Sequence, residues 1–260
     1  MYTNTTGLIL RETAYKDSSK ILTVLTDSMG RLTVMARGAL RRNSKMAAAT
    51  QLLVYSEMTL FNNRDRWTLT EARCVEQFSG LRGDIINLAL GSYFAELAEA
   101  VSDEDCPGAE LLPLCLNTLF ALSEGLKTAE YVKPVFELRL MAASGFSPSL
   151  ESCVSCGKET PEYAFLDLVE GHFHCGDCAP SGDGALLSRS AMSAARYILG
   201  CSPKKLFSFT LGKAALRELS TAAEAYLLTQ LDRRFRTLEY YKQLGVMIQD
   251  SGCRIQGSGN

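Results

Sequence analysis

The chain's nine cysteines are the residues best suited to chemistry, and four of them fall in two pairs, Cys153-Val154-Ser155-Cys156 and Cys175-Gly176-Asp177-Cys178. Eighteen residues separate the pairs, within the C-x2-C-x15–20-C-x2-C spacing of zinc sites. Each CxxC turn aims two thiolates at one point, and two such turns complete a tetrahedron of soft sulfur ligands that suits Zn²⁺. Such a site is closed, with no position for water or substrate, so its expected role is structural. A redox CxxC belongs at the start of a helix in a βαβ unit, and neither pair has that context. Between the pairs, residues 163–168 and 171–174 read as a small hairpin whose folding energy would come from metal binding. His174 adjoins Cys175, and with four thiols at hand it reads as a neighbour of the site rather than a ligand. The remaining cysteines, Cys74, Cys106, Cys115, Cys201 and Cys253, make an odd, scattered set that fits buried thiols and not a secreted disulfide framework.

The two histidines, His172 and His174, both lie between the cysteine pairs, so general bases poised near neutral pH are scarce. The sequence contains no GxxxxGK[ST], no strand-led GxGxxG, no GxSxG and no HExxH. It also lacks the HxE and PCxxC signature of the zinc deaminases. An acid/base pair among the 29 acidic residues stays open, but no catalytic constellation is assembled, and the expectation is a protein that is not an enzyme.

Binding of a polyanion has more support. Arg37-Gly38-Ala39-Leu40-Arg41-Arg42-Asn43-Ser44-Lys45 places four cations in nine residues, with Gly38 and Ser44 allowing close backbone approach to a phosphate. Lys16 and Lys20 precede it, and Arg64 and Arg66 follow. Tyr15, Phe61 and Trp67 could stack on bases, although core packing is the better reading of each. Two further basic groups, Lys204 with Lys205 and Arg233, Arg234 and Arg236 on a long terminal helix, compete with the plain reading of a solvated helix face. Net charge by segment is +4 for residues 1–80, −6 for 81–150, −5 for 151–180 and +5 for 181–260, within a total of −2. If the two ends lie together in space, a polyanion would meet them and avoid the middle; the plain alternative is solvated surface charge.

These residues need a scaffold, and the patterning divides it. Short β-rich runs at 6–11, 20–26, 31–37, 51–61 and 66–75 alternate with turn chemistry at 27–30 and 62–65. Five strands in so short a stretch suit a small closed barrel, of the oligonucleotide-binding (OB) or the SH3-like kind. The period then becomes helical, with helices expected over 84–101, 109–125, 129–144, 188–200 and 212–242. The chain thus reads as an α+β multidomain protein. Its expected parts are a barrel at 1–80, a helical domain at 81–150 plus 182–250, an inserted Cys₄ zinc module at 151–181, and a tail at 251–260 that carries a Gly/Ser-rich end. The 47% apolar and 22% charged composition of 260 residues excludes disorder as the main state. The longest strongly apolar stretch free of charge, residues 111–123, is too short to span a bilayer. The first residues lack the basic and apolar regions of a secretory signal, so a cytoplasmic location is expected.

In order along the chain stand Gly30-Arg31-Leu32, the Arg37–Lys45 loop, Phe136-Glu137-Leu138-Arg139-Leu140, Gly145-Phe146-Ser147-Pro148, the four cysteines and a terminal helical run. Together they closely resemble the RecO family of bacterial recombinational repair proteins over nearly the whole chain. The resemblance implies an N-terminal OB-fold, a helical domain and a zinc module inserted in it. It implies binding of single- and double-stranded DNA and annealing of complementary strands. The implied partners are RecR, single-strand-binding protein (SSB) and, indirectly, RecA, at the nucleoid, with no membrane and no small-molecule substrate. By position, Arg37, Arg41, Arg42 and Lys45 match the family's DNA-contacting loop, and Cys153, Cys156, Cys175 and Cys178 match its zinc ligands. Leu40 is a departure within the loop. The competing reading is a zinc-containing scaffold for proteins that does not touch DNA.

Overall fold

The structure, a computed structural model, describes residues 1–64, 66–104, 110–179 and 184–255, without the side chains of 248–255. Asp65 in the second hairpin turn, Cys106 and the Gly/Ser end at 257–260 lie outside the described residues, as does the side chain of Cys253. The chain forms two compact units, residues 1–125 with 235–260 and residues 126–234.

The first unit opens with five strands, β1 (Tyr2–Tyr15), β2 (Ser19–Thr26), β3 (Arg31–Ala36), β4 (Tyr55–Asn63) and β5 (Arg66–Glu76), closed into a barrel in the order β1-β2-β3-β5-β4. The parallel contact of β3 with β5, Val34 opposite Trp67, makes this a Greek-key, OB-like barrel. Periodicity could not choose between OB and SH3-like barrels because strand order is a tertiary property. Inward side chains alternate as the pleat requires: Leu22, Val24, Leu32, Val34, Leu60 and Leu69 are buried at the centre. The turn at 27–30 closes with Gly30 at φ +65°, a left-handed conformation that glycine adopts without strain.

Helices α1 (Ser79–Arg82), α2 (Ile85–Val101) and α3 (Leu111–Ser123) follow. Asp84 caps α2, its carboxylate accepting from the Ile86 and Asn87 amides at 2.8 and 3.3 Å. The same helix is tied to the barrel by Glu99, 2.7 Å from Arg11. The helix expected over 212–242 is two helices, α6 (Lys213–Gln230) and α7 (Arg236–Ile255). Asp232 between them takes φ +43°, and Phe235, 1% exposed, packs edge-on to Tyr93 of α2 at 6.0 Å. Burial of Phe235 in the first unit turns the chain where the sequence offers neither proline nor glycine. The division between the units therefore cuts through the stretch read as one helical domain, and α7 carries the chain five residues into the stretch read as tail.

The second unit holds α4 (Ala129–Ala143), the cysteine segment, α5 (Arg189–Gly200) and α6. Its three-stranded sheet has the order β7-β6-β8, with β6 (Tyr163–Leu166), β7 (Phe173–Cys175) and β8 (Ala185–Ser188). The β6–β7 hairpin forms from the two expected segments and runs one residue past the second, to Cys175; β8 was not anticipated. Lys133 of α4 is buried between Glu137, at 2.8 Å, and Glu224 of α6, at 2.9 Å. Burial works against its charge, but the two carboxylates outweigh that and hold the ammonium above its ordinary pKa.

Candidate nucleic-acid interface and metal centre

The basic loop leaves the barrel at the end of β3 and is folded onto the β1–β2 connection. The Leu40 amide donates to the Ser18 carbonyl at 3.0 Å, and the Gly38 amide donates to Ser19 Oγ at 3.4 Å. Gly38 takes φ +72°, a left-handed conformation that glycine adopts without strain, and the Arg41 side chain passes 3.5 Å from where a Cβ would stand. Ala39 is buried in the barrel core while Leu40 is 45% exposed. Ala39 thus anchors the loop on the barrel, and Leu40 faces outward. Arg37, Arg41, Arg42 and Lys45 are exposed, and none has a carboxylate within ion-pair distance among the described residues.

Lys16 is exposed beside this loop at φ +53°, its Nζ 5.3 Å from the Tyr15 ring centre. Arg64 and Arg66 are exposed at the β4–β5 turn. Lys20 differs from the expectation of a free loop cation. It is 8% exposed, paired with Glu12, and its ammonium donates to the Thr50 carbonyl at 3.2 Å. Glu12 in turn accepts from the Leu52 amide at 3.1 Å. This pair fastens residues 48–52 across the mouth of the barrel, so Lys20 is not placed to reach a phosphate. Lys20 alternates inward with Leu22 and Val24, a phase that its charge concealed.

Between these cations runs one outward row of directly opposed residues: Tyr2, Phe61, Thr68, Met35, Ile21 and Thr13. Tyr2 is 67% exposed and tilts against Phe61 with ring centres 4.9 Å apart. Trp67, by contrast, packs against the barrel core. An outward row of two aromatic, two aliphatic and two threonine side chains, edged by cations and crossing strands 2 and 3, suits an extended chain with stackable bases. Tyr2 went unnoticed in the sequence because only closure of β1 against β4 brings it to Phe61. Arg233 and Arg234 lie on the break before α7, and Arg236 begins that helix, rather than all three sharing one helix face.

In the second unit the four thiols of Cys153, Cys156, Cys175 and Cys178 lie within 4.8 Å of one another and could hold a metal ion. Cys156 Sγ and Cys175 Sγ are 3.7 Å apart, close to the roughly 3.8 Å edge of a tetrahedron with Zn–S of about 2.3 Å. The donor set therefore fits zinc, which as a closed four-thiolate centre would supply folding energy and no reactive position. Burial raises the Cys153 thiol, but amide N–H groups outweigh it and bring it down to about 6. One of these is the Cys175 amide, 3.3 Å from Cys153 Sγ. Such N–H donors favour thiolate, the form a metal requires. Cys178 is pushed up to about 12, chiefly by hydrogen bonding to Cys156 and Cys175.

Arg196 of α5 straps the first cysteine turn, donating to the carbonyls of Leu150 and Glu151, the latter at 2.9 Å, and of Glu159. Its guanidinium also lies 5.9 Å from the Phe173 ring centre. Sequence reasoning missed this residue, since a lone arginine on a helix carries no signal of what it will meet. Of the scattered cysteines, Cys115 is buried and its thiol pushed up by burial to about 12; Cys74 and Cys201 are half-buried rather than buried.

An OB-like barrel with an exposed basic loop, followed by a helical region that carries four cysteines able to hold a metal ion, defines the class of fold. The chain matches the family models described as Recombination protein O N terminal, over residues 1–78, and Recombination protein O C terminal, over residues 82–239. It is 30% identical over 244 residues to the DNA repair protein RecO of Acetivibrio thermocellus, covering 94% of this chain and 97% of the relative. With the DNA repair protein RecO of Symbiobacterium thermophilum it shares 32% over 246 residues, covering 93% and 97%. The chain belongs to the RecO family of DNA repair and recombination proteins. No helix among the described residues is long and apolar enough to cross a membrane.

Proposed function

We propose that this chain is a recombination mediator that binds single- and double-stranded DNA through its barrel and anneals complementary strands. Together with RecR it helps to load RecA onto single strands coated with SSB, in the cytoplasm at the nucleoid. The observation that supports this best is the set of four exposed cations, Arg37, Arg41, Arg42 and Lys45, held on an OB-like barrel. Lys16, Arg64 and Arg66 extend the contact on either side of the outward row. Cations that neutralise phosphates lower the repulsion between two strands, and the barrel face holds one strand unstacked for pairing. Annealing then follows from proximity, with no chemical step and no catalytic residue. The cysteine cluster takes one structural Zn²⁺.

The test is a salt titration of binding to fluorescent single-stranded DNA by the zinc-loaded chain. Steep salt dependence is expected. Replacing Arg37, Arg41 and Arg42 together by alanine should lower the slope of log K against log salt by about 2, at roughly 0.7 per phosphate contact. An unchanged slope removes this loop from the DNA path. Absence of binding at low salt would instead favour a scaffold that contacts only proteins.

A further inference from the structure

Within the second unit, the β6–β7 hairpin carries a cluster that the four-thiol centre does not use. Phe165 opposes His174 and Leu166 opposes Phe173, and the Asp167 amide donates to the His172 carbonyl at 2.8 Å, so Asp167 faces His172 across the hairpin. Side chains two apart share a face of a strand. The register therefore gathers Asp167, His172 and His174 on one face, while Phe173 and Cys175 are buried on the other. These are the chain's two histidines, and they converge with one carboxylate.

We propose that Asp167, His172 and His174 form a second divalent metal site, distinct from the cysteine centre and of the nitrogen- and oxygen-ligand kind that takes Zn²⁺. One ligand atom from each of the three lies within 4.8 Å of the other two. A tetrahedral ion with bonds of about 2.1 Å needs about 3.4 Å, a gap that side-chain rotation closes. Oδ1 of Asp167 accepts from the Val169 and Glu170 amides at 2.8 and 2.9 Å; Oδ2 has no hydrogen-bond partner among the described residues. Ser155 Oγ lies 3.0 Å from His174 Nδ1 and orients that ring from within the first cysteine turn. The imidazoles stand edge to face, 5.2 Å between centres. All three residues are half-buried, so three protein ligands leave a position open to water or to an oxygen of a partner, unlike the closed thiolate site. Residues 151–180, at net −5, add a field that favours a cation.

The experiment titrates Zn²⁺ into the full chain, labelled at histidine and already carrying one zinc, and follows the imidazole nitrogen resonances beside the count of alkylatable thiols. A second equivalent should bind and move both imidazoles while the four thiols stay protected throughout. His172→Asn and Asp167→Asn should each weaken that second equivalent at least about tenfold and leave the first intact, with protected thiols showing that the module is folded. Saturation at one equivalent with unmoved imidazoles overturns the proposal. So does a first equivalent that moves His174 and leaves one thiol reactive, which would place His174 in the cysteine centre. A second equivalent indifferent to both substitutions puts the ion elsewhere and likewise overturns it.

Discussion

Lys20 and Arg41 are cations of one barrel with different environments, and their substitutions should separate cleanly. Lys20→Ala leaves Glu12 at the barrel mouth without its ammonium and frees the Thr50 carbonyl. With Glu12 part exposed, the expected loss is about 1–3 kcal/mol, read as a lower unfolding midpoint with an unchanged salt slope for DNA. Arg41→Ala should do the reverse, sparing stability and reducing the slope by roughly 0.7. A third residue gives a pH dependence. Partial burial works against the Asp27 carboxylate, but hydrogen bonds from Thr5, Ser28 and Thr6 outweigh it and hold its pKa below the ordinary value. A lowered native pKa means that the ionised form supports the fold above the unfolded pKa, about 3.9. That support fades as pH falls through the native value. Asp27→Asn should flatten the stability profile of the barrel below about pH 4, measured by denaturant unfolding at each pH.

At the scale of elements, the cysteine module depends on α5. Arg196→Ala removes donors to three carbonyls around the first cysteine turn and the contact with Phe173. Charge-assisted hydrogen bonds of this kind contribute about 1.5–3 kcal/mol each and do not add. The variant should lose zinc to a chelator at least about tenfold faster, which a metallochromic dye would follow. The pairing of α4 with α6 rests on Lys133 between Glu137 and Glu224. Lys133→Ala takes the ammonium from between two carboxylates, one of them on a fully buried side chain. About 3–5 kcal/mol should be lost from the second unit, seen as a lower midpoint by circular dichroism.

At the scale of the whole molecule, the chain's one tryptophan, Trp67, packs on the barrel core of the first unit, whereas the cysteine centre belongs to the second. Chelation of zinc should therefore lower the unfolding transition followed by far-ultraviolet circular dichroism and leave that followed by tryptophan fluorescence within a few degrees. A joint shift of both would show that the units unfold as one. The charge pattern also changes meaning at this scale. The barrel and α7 belong to the first unit, whereas Lys204, Lys205, Arg233 and Arg234 belong to the second, so the basic C-terminal portion of the sequence is divided between the two units.

The sequence by itself determined what short-range chemistry can write. Ligand spacing fixed the cysteine centre, because a CxxC turn closes on itself, and strand and helix periods placed the barrel and most helices to within a few residues. The basic loop was legible because like charges crowded in a turn have to face solvent. Tertiary structure decided which cations stay there: Lys20 was drawn into the barrel mouth by Glu12, a partner on another strand. It also decided strand order, the break at Asp232 enforced by the burial of Phe235, the grip of Arg196, and the meeting of Asp167 with His172 and His174 through hairpin register. Each of these depends on a partner distant in the chain or on a face chosen by packing, and local pattern carries neither.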